Sequence, residues 1–205
     1  MGLFESLFMF FTEVIKTLGY IGIFILMTLE SMVAPVPSEG VMPFAGYLVR
    51  TGDFTMLGVI IWSSFASIFG SMLSYYIGYY GGKPVVLKFG KYLLLDKEHL
   101  ELTEKYFHKY GEKTIFICRF IPVVRHFISI PAGIGKMNIV KFATYTLIGA
   151  TIWNAFLSYL GYWLAERWEI VHHYSRYLDY IVIVGVIIFL VYWIHKRLKT
   201  KKETN

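Results

Sequence analysis

The sequence predicts an all-α integral membrane protein: an inverted repeat of two re-entrant helical hairpins, each followed by a long transmembrane helix, with one more transmembrane helix at the C-terminus. Three observations predict it. Hydrophobic residues make up 56% of the 205 positions and aromatics 19%, with a mean hydropathy of +0.54, far from a soluble domain with a polar shell. Two apolar stretches turn on prolines beside charged residues, one from Glu30 through Pro35, Pro37 and Ser38 to Glu39, the other from Arg119 through Pro122 to Arg125 and His126. Finally, a shift of 87 positions lays Pro35 on Pro122, Ala45 on Ala132 and Gly46 on Gly133, while a shift of 83 lays Tyr76, Gly78 and Tyr79 on Tyr159, Gly161 and Tyr162.

Residues 1–205 are expected to form a single membrane domain. Residues 1–17 mix Phe and Leu with Glu5, Thr12, Glu13 and Lys16, which suits a peripheral helix. Residues 18–50 form the first re-entrant hairpin: the uncharged run from Leu18 to Leu29 is too short to span, the prolines turn the chain, and an arm from Val41 to Val49 leads back out. Residues 54–80 are long enough to cross, and Ser63, Ser64, Ala66, Ser67, Gly70 and Ser74 let a second helix approach closely. Residues 83–113 are strongly charged, with Leu100, Thr103, Phe107 and Tyr110 at helical spacing, and read as an amphipathic cytoplasmic segment. Residues 115–134 repeat the broken hairpin, 139–164 and 178–194 are further transmembrane helices, and 195–205 form a basic cytoplasmic tail.

Fourteen of the twenty Lys and Arg residues lie in the 83–113 segment, at Lys136 and Lys141, and in the tail, which places these regions inside the cell. The first hairpin then opens outward and the second inward. One crossing separates them, so the two repeats are inverted in topology. The net charge of +6 fits this basic rim, not nucleic-acid binding. Cys118 is the single cysteine, so no internal disulfide or cysteine metal cluster is expected. The N-terminus shows no cleavable signal pattern. Its match to the myristoylation motif is a short string that recurs by chance.

A charge at bilayer depth costs roughly 2.5 to 3.5 kcal/mol on insertion scales. Glu30, Glu39, Arg119 and Arg125 therefore need partners, water or a function, and the acidic and basic hairpins are expected to meet. Pro35, Pro37 and Pro122 are hairpin breakers. Asn154 and Trp153, in the second long span, and His126, beside Arg125, are candidates to line a polar cavity, with packing as the simpler role for the first two. His172 and His173 lack ligand spacing. No metal and no cofactor are expected.

The motifs resemble the DedA family, also called the SNARE-associated or VTT-domain family. The resemblance rests on Glu30 with Pro35, Pro37, Ser38 and Glu39, on Arg119, Pro122 and Arg125, and on Pro131, Gly133, Gly135 and Met137, and it covers roughly residues 15–165. Ser71 and Ser74 stand where many members carry an acidic residue near Gly70. The resemblance implies a multi-pass protein of the bacterial inner membrane that moves lipids between leaflets, with undecaprenyl phosphate and phosphatidylethanolamine among the family's associated substrates and a link to the proton motive force.

The residues read alone point the same way. The planar guanidinium groups of Arg119 and Arg125 can grip a phosphate bidentately, and Ser38 can add a hydroxyl or cap the helix that follows. Glu30 or Glu39 can couple to protons, because desolvation raises a carboxyl pKa and a nearby arginine lowers it. The partners are then a lipid phosphate, the bilayer and protons, with a homo-oligomer allowed and nucleic acid excluded. The preferred function is a proton-coupled flippase for undecaprenyl phosphate. Alternatives are a phosphatidylethanolamine flippase or scramblase and a proton-coupled small-solute antiporter. An intramembrane phosphatase would need a nucleophile or histidine constellation beside the arginines, and an ion-paired lock between hairpins is the structural reading of the same four charges.

Overall fold

The computed structural model describes residues 3–32, 38–93, 113–121, 124–125 and 128–167, and among these every regular element is helical. Seven helices are described: α1 (Leu3–Leu18), α2 (Tyr20–Ser31), α3 (Ser38–Arg50), α4 (Met56–Leu93), α5 (Thr114–Cys118), α6 (Ser129–Ile134) and α7 (Ile139–Ala165). The predicted turns at Pro35, Pro37 and Pro122, residue His126, the 94–112 part of the charged segment, and everything from 168 onward lie outside the described residues.

Local chemistry sets the boundaries. Gly19 at φ 63° separates α1 from α2, a backbone conformation that costs glycine little. The end of α3 closes on Gly52, at φ 90°, with the Gly52 and Asp53 amides donating back to the Val49 and Leu48 carbonyls. Thr55 then caps α4 by accepting from the Gly58 amide at 3.2 Å, and Asn138 caps α7 by accepting from the Val140 and Lys141 amides at 3.0 and 3.2 Å. One boundary differs from expectation. The helix expected over 54–80 runs from Met56 to Leu93, into the first part of the charged segment.

The long helices are apolar on their exposed faces and carry polar side chains on their buried ones. On α4, Leu57, Ile61, Phe65, Phe69 and Tyr80 are exposed while Ser63, Ser67, Ser71 and Ser74 are buried; on α7, Val140, Ile152, Phe156 and Trp163 are exposed while Thr146, Asn154 and Ser158 are buried. A soluble protein distributes these the other way. The exposed stripes suit contact with lipid. Among the described residues Met56–Gly81 is the one stretch both long and apolar enough to cross a membrane; α7 has the length, and its polar positions lower its hydropathy.

Packing crosses over between the two halves. In the first half α2 lies on α4 and α3 on α7, and in the second half α5 lies on α7 and α6 on α4. Glycines set the closest approaches. Gly46 of α3 sits against the Ser158 carbonyl and Tyr162 amide of α7, and Gly133 of α6 sits against the Tyr75 carbonyl and Tyr79 amide of α4. Gly161 likewise meets the Pro43 carbonyl, and Gly78 meets the Ile130 carbonyl. Each second contact is the first with the hairpin residue moved 87 positions and the long-helix residue moved 83.

Candidate functional site

Among the described residues three charged side chains are buried, those of Glu30, Arg119 and Arg125. Glu30 comes from the last turn of α2. That turn is fixed to α4 because Gly70 lets the Thr28 carbonyl approach and because the Ser74 hydroxyl donates to the Ser31 carbonyl at 3.1 Å. One Glu30 oxygen accepts from the Ser31 hydroxyl at 2.8 Å; the other stands 2.9 Å from Arg125 Nη2 in an ion pair, with both side chains 1% exposed. The acidic residue Glu30 and the basic residue Arg125 do meet, in this pair.

Arg119 follows α5, and Gly149 of α7 makes room for its stem. It has no carboxylate partner among the described residues. Its Nη2 instead lies 3.0 Å from the Ser71 hydroxyl, 3.1 Å from that of Ser129 and 3.0 Å from that of Thr146, and Nη1 approaches the Arg125 carbonyl at 3.4 Å. The three hydroxyls come from α4, α6 and α7, so Arg119 draws both long helices and the second hairpin to one point. An amino group with two hydrogens cannot satisfy three acceptors fully.

The surplus of donors extends outward. Arg119 Nε, Arg125 Nη1 and Trp153 Nε1 are buried without a hydrogen-bond partner, while the Arg125 guanidinium stands 5.6 Å from the Trp153 ring centroid. A buried donor left unpaired costs about 1–3 kcal/mol. A site with this many unanswered donors lacks an acceptor-rich group.

The other predicted residues fall in different places. Ser38 opens α3 with its hydroxyl buried and unpartnered, unbonded to either arginine. Glu39 is exposed and makes no ion pair among the described residues, so the structure joins one acidic residue to the basic hairpin and leaves the second apart. Asn154 is buried and bonds Ser67 of α4 at 3.2 Å, next to a Thr151 to Ser64 bond of 2.8 Å. Ser129 and Thr146 were not singled out by sequence reasoning. The signal that could have found them is hydroxyl residues at helical positions facing an arginine in an apolar chain.

A model of the VTT domain matches residues 36–163. The chain belongs to the DedA, or VTT-domain, family. It is 38% identical over 184 residues to undecaprenyl phosphate transporter A of Bacillus subtilis, covering 89% of this chain and 91% of that protein. It is 36% identical to an alkaline phosphatase-like protein of Lactococcus lactis, covering 87% and 86%, and 31% identical to protein DedA of Escherichia coli, covering 62% and 58%. No solved structure matches. Membership makes the chain a membrane protein, in keeping with the apolar exposed faces and polar buried positions of its long helices.

Proposed function

We propose that this DedA-family protein is a transporter that moves an isoprenoid phosphate of the undecaprenyl phosphate type between the leaflets of the bacterial inner membrane, with Glu30 as the proton-coupling group. The observation that carries this reading is the donor surplus around Arg119 and Arg125. Arg119 Nε, Arg125 Nη1 and the Trp153 indole N–H are buried donors without partners, and the one buried carboxylate among the described residues, Glu30, is already in an ion pair. A phosphate head group supplies several acceptor oxygens at once, and charge-assisted bonds from arginine are the strong kind. A small neutral or cationic solute would leave these donors unanswered, which argues against the antiporter reading.

Inverted repeats supply the alternation. The paired glycine crossings, related by offsets of 87 and 83, support two hairpins of opposite topology against two long helices, an arrangement that lets a central site face either side by rocking one unit against another. Glu30 can exchange its arginine partner for a proton when a phosphate takes the arginine. The relatives' names favour an undecaprenyl phosphate substrate.

The test is reconstitution in sealed vesicles with an isoprenoid phosphate in one leaflet, following both its appearance in the other and any phosphate released. Lipid movement without phosphate release, lost in Arg119→Lys and Arg125→Lys, is the expected result. Unchanged movement by both variants rejects the phosphate clamp. Phosphate release in place of movement makes the protein a phosphatase.

A further inference from the structure

Packing alone does not account for the side chain of Trp153. Its ring lies under the Arg125 guanidinium, edge-on to Phe120 and beside Phe156. These contacts need an aromatic ring and no polar atom. The indole N–H is nonetheless buried without a partner. Asn154, the next residue, donates from its amide nitrogen to Ser67 and leaves its amide oxygen, an acceptor, without a partner. Two adjacent residues of α7 thus present unanswered polar atoms beside an arginine that itself has a free Nη1.

An indole N–H can only donate, so its missing partner is an acceptor. Phenylalanine would fill the same place without leaving a donor unpaired. We propose that Trp153 is a specificity-determining residue of the head-group site, whose N–H donates, beside Arg125 Nη1, to a terminal oxygen of a phosphomonoester. The inference rests on the lipid-phosphate reading of the site. A phosphomonoester offers three unesterified oxygens and a phosphodiester two. The two arginines and the hydroxyls around Arg119 account for two oxygens in either class. Trp153 reads the third, which in a diester bears carbon and accepts poorly.

The experiment uses the full chain in nanodiscs, with farnesyl phosphate and its methyl phosphodiester as probes. Wild type is expected to prefer the monoester. Trp153→Phe is expected to bind the monoester about tenfold more weakly, the scale of one hydrogen bond to a charged group. Its diester affinity should not change, and its unliganded thermal midpoint should be equal or higher, because an unpaired donor has gone. A purely structural tryptophan would lower the midpoint and weaken both probes together. Retention of the full preference by Trp153→Phe overturns the inference alone, whereas failure of wild type to bind farnesyl phosphate overturns the lipid-phosphate reading beneath it. Independently of any Trp153 variant, the indole N–H resonance of Trp153, assigned by Phe substitution of the other four tryptophans, should move downfield with the monoester. No movement on saturation overturns the proposal.

Discussion

Replacing Glu30 with glutamine separates a structural lock from a binding site. The carboxylate and Arg125 are each 1% exposed and 2.9 Å apart, so the substitution strands a guanidinium in a place that water does not reach. Breaking a buried pair by removing one partner costs about 3–5 kcal/mol. Glutamine keeps one carbonyl oxygen able to accept from Arg125 or Ser31, which sets the expectation at the lower end, about 3 kcal/mol. For a chain of this size that corresponds to a fall in thermal midpoint of about 6–12 °C. The assay is thermal unfolding in a fixed detergent, with and without isoprenoid phosphate. A phosphate bound at the stranded arginine should restore Glu30→Gln by more degrees than it adds to wild type, because binding to the folded state alone stabilises by mass action. Adding Arg125→Met should recover most of the loss by removing the orphan charge. A Glu30→Gln midpoint equal to wild type refutes the claim that this pair is buried and energetically coupled. A normal fall with no differential response to lipid refutes the binding role and leaves the lock.

Arg119→Lys keeps the charge and loses the fork that reaches Ser71, Ser129 and Thr146, so lipid movement in vesicles should fall at least about tenfold. Gly46→Ala and Gly133→Ala push a methyl group into the Ser158 and Tyr75 carbonyls. Each should lower stability by about 1–3 kcal/mol on unfolding, by similar amounts if the two crossings are equivalent. Single cysteines near Arg50 and near Lys113 should be labelled from opposite sides of sealed cells, and labelling from one side rejects the inverted topology. Arg50 donates to the Tyr162 hydroxyl at 2.9 Å and pairs with Glu166 at 2.5 Å, and these two partners, in that order, raise its pKa above the ordinary arginine value. A cation whose folded pKa is raised holds its contribution below the unfolded value and loses it only as pH rises through the folded one. Alkaline titration short of arginine deprotonation should therefore leave this contact unchanged, whereas added salt should weaken it, since both side chains are largely in solvent.

Much of the architecture was legible because a bilayer constrains sequence strongly. The helices α2 and α3 fall within two or three residues of the apolar arms expected on either side of Pro35 and Pro37. The glycines found by shifting the chain are the ones at the helix crossings, because glycine is what a carbonyl contact between helices requires. The Glu30 to Arg125 pair was also legible, since neither ion is tolerable alone in apolar surroundings. Glu39 stands apart from the buried pair for a physical reason. It lies nine residues beyond Glu30 in the same motif, and motif membership says nothing about which side of α3 a side chain occupies. The Arg119 cage was hidden for another: Ser71, Ser129 and Thr146 are far apart in the chain, and small hydroxyl residues on apolar helices ordinarily mark close packing. The extent of α4 was missed because the rise in charge after Gly81 reads as an interface, while a helix can run on past it.

The charge inventory explains why coupling to protons would reside at Glu30. Among the described residues the buried ions are two arginines and one glutamate, so the site carries a charge of +1 while Glu30 is ionised. A phosphomonoester has its second pKa near 6 and at neutral pH lies between one negative charge and two. The monoanion neutralises the site as it stands. The dianion would leave a net negative charge in a desolvated place, which a single proton on Glu30 removes. Protonating Glu30 also dissolves its pair with Arg125, the ionic link between the two hairpins, while the freed guanidinium is held by the phosphate. On the proposed function, then, loading a dianion, taking up a proton and releasing one hairpin from the other are a single event. A hairpin that separated with Glu30 ionised and no phosphate bound would leave Arg125 and Glu30 both unpaired in the membrane, and that cost ties separation to the ligand and the proton together.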